Sequence, residues 1–280
     1  MAFKTILTYF RNETEAPELA AAAGILAEQN DAHVIGLSVA PSKKYFPVLG
    51  FSVPEEIIEA ATKHHAEKSQ AIKTVFDEQA GKGAHRWEWQ QIESEGLTVA
   101  QTVADRGRCA DLIVIGQPSK DTSYVVPDMT FETALIESGK PVLVIPTGHV
   151  PRTIGKSVVI AWNAKREAAR AAFDALSLLK AAQAENVTIV CAESRVDQLR
   201  ESNLGNELAR TLARHDLNVD VLQVPIEDGP GQTLLQQASE LNADLLVMGC
   251  YGHSRIREFV FGGATDHVLQ NMEIPVLMAH

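Results

Sequence analysis

Short continuous apolar runs recur along the chain, separated by longer stretches in which apolar residues return every third or fourth position. Ile6–Tyr9, Val34–Val39, Leu112–Ile115 and Val142–Ile145 form one set, and Val158–Trp162, Val187–Cys191, Leu245–Met248 and Val276–Met278 a second. Unbroken runs such as Leu112-Ile-Val-Ile predict strands buried on both faces of a parallel sheet, because a solvated face would require a polar residue at every second position. Two further segments, His85–Ile92 and Val219–Val224, do alternate and are predicted nearer the sheet edges. The stretches between strands, Ala-rich after the first strand of each set, predict helices, so each set is a series of βαβ units.

The two sets are copies of one another. Lys4-Thr-Ile-Leu-Thr-Tyr aligns with Lys156-Ser-Val-Val-Ile-Ala, and Glu15-Ala-Pro-Glu with Glu167-Ala-Ala-Arg, at a single offset of 152. Without a gap, the same offset lays His33-Val-Ile-Gly-Leu-Ser-Val over Glu185-Asn-Val-Thr-Ile-Val-Cys. Farther on, Ala110-Asp-Leu-Ile-Val-Ile-Gly aligns with Ala243-Asp-Leu-Leu-Val-Met-Gly at 133, and Gly139-Lys-Pro-Val-Leu with Glu273-Ile-Pro-Val-Leu at 134. The first copy therefore carries about 19 additional residues, placed between Pro41 and Ala84 in a loop and a long helix. Thr147–Gly155, rich in Pro and Gly, reads as the linker, giving domains at 1–147 and 153–280.

Right-handed crossovers and five strands per copy give a doubly wound, Rossmann-like α/β sheet, most simply ordered 3-2-1-4-5. In that order the winding reverses between strands 1 and 4, and ligands bind in the crevice beyond the carboxyl ends of those strands. Site residues are therefore sought just after strands 1 and 4.

Composition narrows the function classes. The net charge of -11 disfavours a polyanionic nucleic acid. A single small nucleotide stays compatible, because backbone N–H groups bind phosphate whatever the net charge. No apolar run approaches membrane-spanning length, and the N-terminus has no charged region followed by a long apolar stretch, so a cytoplasmic protein is expected. Cys109, Cys191 and Cys250 form no CxxC pair and no metal-ligand spacing, which suits a reducing compartment without disulfides or zinc. His64 and His65 sit on a polar helix and read as surface residues.

The second copy has a candidate site. Strand 4 ends at Gly249, followed by Cys250, Gly252, Arg255, Arg257, Gly262, Gly263, Ala264 and Thr265, with a helix predicted from about Thr265 or Asp266. The glycines let the backbone turn tightly and approach a ligand, and the helix start offers free N–H groups to a phosphate. Gly249, Gly252 and Gly262 stand in the order Gly, two residues, Gly, nine residues, Gly. This resembles the signature of the universal stress protein family, and the resemblance covers nearly the whole chain in both copies. It departs at Gly263, where the family places a Ser, Thr or Asn. Thr265 falls on the family's later hydroxyl position. Asn163, after strand 1, stands where ATP-binding relatives carry an Asp, and Cys191 at the end of strand 2 would offer backbone to the base edge. The resemblance thus implies an adenine nucleotide alpha hydrolase-like fold. It also implies ATP or AMP held by Asn163, Cys191, Gly249, Gly252, Arg255, Gly262, Gly263, Ala264 and Thr265, with no metal beyond nucleotide-associated Mg. Relatives dimerise through their last strands, so Val142–Ile145 and Val276–Met278 are expected to pair within one chain as a pseudo-dimer, with a homodimer beyond it.

The first copy differs. Gly116 is kept, but Ser119 replaces the second glycine, Asp128 and Met129 stand near the phosphate positions, and Arg11 replaces Asn163. An aspartate at a helix start repels phosphate, so no ATP site of the usual kind is expected there. Tyr45, Phe46, Val48, Leu49 and Phe51 make an apolar loop run that packs on its own domain or meets a partner. No GxSxG, Walker lysine or other catalytic constellation is present, so the chain reads as a binding protein, at most a slow ATP hydrolase. The leading reading is a nucleotide-switched stress protein. The alternatives are a nucleotide-independent protein acting through dimerisation and partners, and an enzyme on a phosphorylated metabolite.

Overall fold

A computed structural model describes residues 2–41, 55–83, 85–94, 98–118, 129–193, 204–250 and 263–280. The apolar loop run 45–51, Ser119 and Asp128 lie outside them. The chain divides into two compact units, Phe3–Val142 and Leu143–His280.

The first half runs β1 (Thr5–Tyr9), α1 (Ala16–Asn30), β2 (His33–Ala40), α2 (Glu55–Ala80), β3 (Trp87–Glu93), α3 (Val99–Gly107), β4 (Leu112–Gly116), α4 (Thr130–Glu137) and β5 (Val142–Ile145). Its strand order is β3-β2-β1-β4-β5, with β1 parallel to both β2 and β4 and β2 parallel to β3. The second half runs β6 (Ser157–Ala161), α5 (Arg166–Ala182), β7 (Asn186–Glu193), α6 (Leu204–Ala213), β8 (Val219–Pro225), α7 (Pro230–Glu240), β9 (Leu245–Gly249), α8 (Gly263–Asn271) and β10 (Val276–Ala279). Its order is β8-β7-β6-β9-β10, parallel throughout. Both are the predicted doubly wound sheet. The alternating strands β3 and β8 take the outer positions, and the unbroken runs β1, β4, β6 and β9 are buried in the middle. Strand ends differ from the apolar runs by a residue or two, as helix and strand ends commonly do.

The repeated Ala-Asp pair has a structural purpose in both copies. Asp111 accepts the backbone N–H groups of Lys4 and Thr5 at 2.7 and 2.9 Å. Asp244, 133 positions on, accepts those of Gly155, Lys156 and Ser157 at 3.0–3.1 Å. Each carboxylate thus satisfies the amides that enter the first strand of its copy, and fixes where strand 1 begins beside strand 4.

The two copies do not match without a gap at their second strands. β1 pairs Thr5 with His33 and Ile6 with Val34, whereas β6 pairs Ser157 with Asn186 and Val158 with Val187. The second strands therefore correspond at 153, not 152. The extra residue is absorbed at the start of β7, where Glu185 and Asn186 both donate to the Lys156 carbonyl, at 2.9 and 3.2 Å. A two-on-one contact of this kind has the form of a bulge. An ungapped match would place buried Val34 over exposed Asn186, and the shift restores Val34 over buried Val187.

The extra residues of the first copy lengthen α2 to 26 residues, yet only Ser69, Ile72 and Phe76 of that helix are buried. His64 is exposed as expected, but His65 turns partly inward, with Nε2 buried and lacking a hydrogen-bond partner. Burial, followed by the charges of Lys68 and His64, lowers its pKa, so the ring is neutral at pH 7. Among the described residues, no helix is long and apolar enough to cross a membrane.

Candidate functional site

In the second half β6 and β9 lie side by side, and the chain leaves them in opposite directions, to β7 and to β10. This is the switch point at which a crevice opens. Gly249 ends β9 there. A Cβ on it would stand 2.3 Å from the Glu167 carbonyl carbon and 2.4 Å from the Ala168 nitrogen, so the glycine lets the first turn of α5 lie directly against the strand end. Cys250 follows, fully enclosed, its N–H bonded to the Ala279 carbonyl at 3.0 Å and its carbonyl 3.1 Å from His280 Nδ1. Burial pushes its thiol up to about 12, against the opposing effect of a hydrogen bond from Thr265.

The other expected residues gather around this point to different extents. α8 begins at Gly263, two residues earlier than predicted, so Gly263, Ala264 and Thr265 form its first turn. Gly263 is exposed with nothing within 4 Å of a Cβ built on it, Ala264 is half-buried, and Thr265 is buried with its hydroxyl on Cys250. Asn163 is exposed beyond the end of β6, and its Oδ1 accepts the Lys165 N–H at 3.0 Å. That Asx turn, followed by Ala164 at φ +57°, starts α5, whose N-cap Lys165 makes no side-chain cap of its own. Cys191 is buried, and a Cβ on Gly205 of α6 would come within 3.2 Å of its Sγ, so only its backbone can face a ligand. Gly252, Arg255 and Gly262 lie outside the described residues.

The thiols give a direct check on this packing. Cys109 is exposed, whereas Cys191 and Cys250 are buried. The native protein is expected to consume one equivalent of a thiol reagent at neutral pH and three after denaturation, with mass spectrometry placing the first on Cys109. Rapid native labelling of Cys250 would contradict its enclosure.

Residues 156–280 match the universal stress protein family. The match covers the second copy of the repeat. Among curated relatives, universal stress protein Slr1230 of Synechocystis sp. is 46% identical over 57 residues, 20% of this chain and 20% of that protein. Stress response protein NhaX of Bacillus subtilis is 27% identical over 63 residues, 22% of this chain and 36% of that protein. The matches thus span well under half the length of these relatives. A crystal structure of a universal stress protein from Archaeoglobus fulgidus shares the fold across 98% of this chain and 97% of its own, with a TM-score of 0.73 at 15% identity.

Beside each switch point lies a glutamate that the pattern of glycines conceals. Glu15 and Glu167 are related by the 152 offset, and both are buried beside the first strand of their copies. In the first copy Glu15 lies over the end of β4, where a Cβ on Gly116 would meet its Oε2 at 2.4 Å. Its Oε1 accepts the N–H groups of Arg11 at 2.7 Å and Asn12 at 3.3 Å, and its Oε2 accepts Arg11 Nη2 at 2.8 Å. Burial raises its pKa, and Arg11 offsets this only in part. Glu167 is also pushed up by burial, but its bond to Arg166, its own backbone N–H and the charges of Arg166 and His280 together carry it below the usual carboxylate value. The repeat offset itself is the signal that finds the pair, since it sets a glutamate at the same place in both Ala-rich helix starts.

Proposed function

We propose that this chain is a stress-response protein whose second domain, taken as residues 153–280, binds an adenine nucleotide, ATP or AMP, in the crevice between β6 and β9. The observation that supports it best is the open start of α8. α8 starts with exposed Gly263, and the first-turn N–H groups of a helix lie outside its own hydrogen-bond ladder, the arrangement that favours an anion. The described residues fit a nucleotide in part. Asn163 keeps a donor amide and one acceptor lone pair after its bond to Lys165, enough for one polar group of a nucleoside. With no carboxylate at that position, Mg²⁺ would enter on the phosphates themselves. In this reading Gly252, Arg255 and Gly262 complete the phosphate contacts, the first domain (residues 1–147) binds no ATP, the protein acts in the cytoplasm, and turnover is at most slow hydrolysis.

A second reading is favoured by a specific observation. The Thr265 hydroxyl is engaged with Cys250 and the Asn163 oxygen with Lys165, so the two side chains best placed to grip a nucleotide already serve the fold. In that reading the protein acts through partners without nucleotide. Mass spectrometry of the small molecules released on denaturation separates the two, with a Gly262→Asp variant alongside. About one adenine nucleotide per chain from the wild type, lost in the variant, is expected. Absence from both, with no binding on titration, overturns the nucleotide reading.

A further inference from the structure

α2 meets the rest of its domain along one stripe. Ile58, His65, Ser69, Ile72 and Phe76 recur along it at helical spacing, the first two half-buried and the last three buried. α1, β2 and β3 pack against the helix. The apolar anchors Ile72 and Phe76 both lie in its C-terminal half, and no side chain from Glu55 to Lys68 is buried. Between these two regions the stripe is polar. His65 Nε2 and Ser69 Oγ are both buried, one helical turn apart, and neither has a hydrogen-bond partner.

A neutral imidazole tolerates this place better than a charged one. In the imidazolium both ring nitrogens carry N–H, so Nε2–H would bring part of a positive charge to a buried position that offers no acceptor. The charges that act on the ring, those of Lys68 and His64 on its own helix, also oppose a further positive charge. Among the described residues, no carboxylate of α1, β2 or β3 acts on it to offset them. Burial first, then Lys68 and His64, hold its pKa below the ordinary 6.5. Once the helix lifts, the ring meets water and recovers that value. The released form therefore takes up the proton first as pH falls, and the packing contributed by this part of α2 is complete above about pH 6.5 and is lost progressively below it.

We propose that His65 is an acid-sensitive joint in α2: protonation of its ring releases the turns around it from the first domain, while Ile72 and Phe76 keep the C-terminal half of the helix in place.

The test is hydrogen exchange of the whole chain between about pH 7.5 and 5.5, read as protection factors, which remove the intrinsic pH dependence of exchange. Protection of amides 61–69 is expected to hold steady above about pH 6.5 and to fall below it, by at most roughly tenfold per pH unit, the limit that one proton sets. Amides of the buried strand β1 are expected not to change over the same range. His65→Leu is expected to abolish the pH dependence in α2, and His64→Leu to preserve it. The His65 ring, followed by NMR in the wild type, is expected to titrate below 6.5. Protection that does not vary with pH overturns the proposal, and so does a pH dependence that survives His65→Leu. A wild-type ring that titrates at 6.5 or above overturns it as well, an observation that needs no variant to fold.

Discussion

Gly249→Ala is expected to lower the melting temperature of the second repeat by about 10 °C, whereas Gly263→Ala is expected to leave it nearly unchanged. Gly249 opens the glycine signature and Gly263 stands where the chain departs from it, and their surroundings differ as well. A Cβ at Gly249 would lie 2.3–2.6 Å from backbone atoms of Glu167 and Ala168, distances that real Cβ contacts do not reach. A flexible side chain could swing clear of a new methyl, but the first turn of α5 cannot. That turn is held by the Asx turn from Asn163 and by the burial of Ala168, Ala171 and Ala172 behind it. Overpacking typically costs 1–3 kcal/mol, and a clash of backbone on both sides belongs at or above the top of that range, about 3 kcal/mol or more. For a unit of this size that is a fall of about 10 °C in the melting temperature of the second repeat. Gly263 has no neighbour within 4 Å of its Cβ position and does not occupy the left-handed region, so alanine there is expected to change stability by no more than about 0.5 kcal/mol. Calorimetric melting of both variants checks this. A Gly249→Ala protein that melts like the wild type would remove the steric account of that glycine and leave ligand approach as its reason. If Gly263→Ala retains nucleotide, the backbone N–H groups of α8, not the missing family hydroxyl, carry the contact.

The fold was legible in the sequence because buried parallel strands write themselves as unbroken apolar runs, and because two copies check each other. Strand order, the edge positions of β3 and β8, and the pairing of β6 with β9 all follow from that pattern. The slip at Glu185 was not legible. A bulge changes the register without changing the residue types around it, and only the sharing of the Lys156 carbonyl by two N–H groups exposes it. Glu15 and Glu167 were hidden for a different reason. A glutamate at a helix start is the expected surface acid that complements the helix dipole, and nothing in its letter distinguishes a buried one. The glycine signature was read as room for a ligand, yet at Gly249 the group that approaches is the protein's own α5. Asn163 and Thr265 were read as ligand contacts, and both make bonds within the fold that their residue types allow equally well. His65 breaks the surface pattern because it lies one helical turn before Ser69, on the stripe that faces the sheet.

Phe76→Ala is the second substitution with a large expected effect, about 3–5 kcal/mol confined to the first repeat. The added residues of that repeat go into α2, a helix anchored by three buried residues along its 26. Phe76 is the largest of them, 1% exposed. Its ring lies 4.9 Å from Trp87, 5.3 Å from Trp89 and 5.9 Å from Phe10, edge-on to Trp87 and Phe10. Such pairs add about 0.5–1.5 kcal/mol beyond the area they bury. Beneath the ring is Gly36 of β2, where a Cβ would come within 2.5 Å of Phe76 and 2.7 Å of Trp89. The sheet has therefore given up a side chain to receive the aromatic cluster, and no neighbour on β2 can move in to fill the cavity that alanine leaves. With Ile72 and Ser69 as its remaining buried anchors, α2 is expected to lift from the sheet below the temperature at which the first repeat melts. Hydrogen exchange along α2 is expected to accelerate, and the fluorescence of Trp87 and Trp89 to shift to the red as the indoles meet water. Ile57→Ala, at a position 55% exposed near the start of the same helix, is expected to change neither. A Phe76→Ala protein with unchanged tryptophan emission and unchanged α2 exchange would mean that the helix is held by something other than this cluster. In that case the first copy's additional residues would owe their place to contacts outside the core described for them.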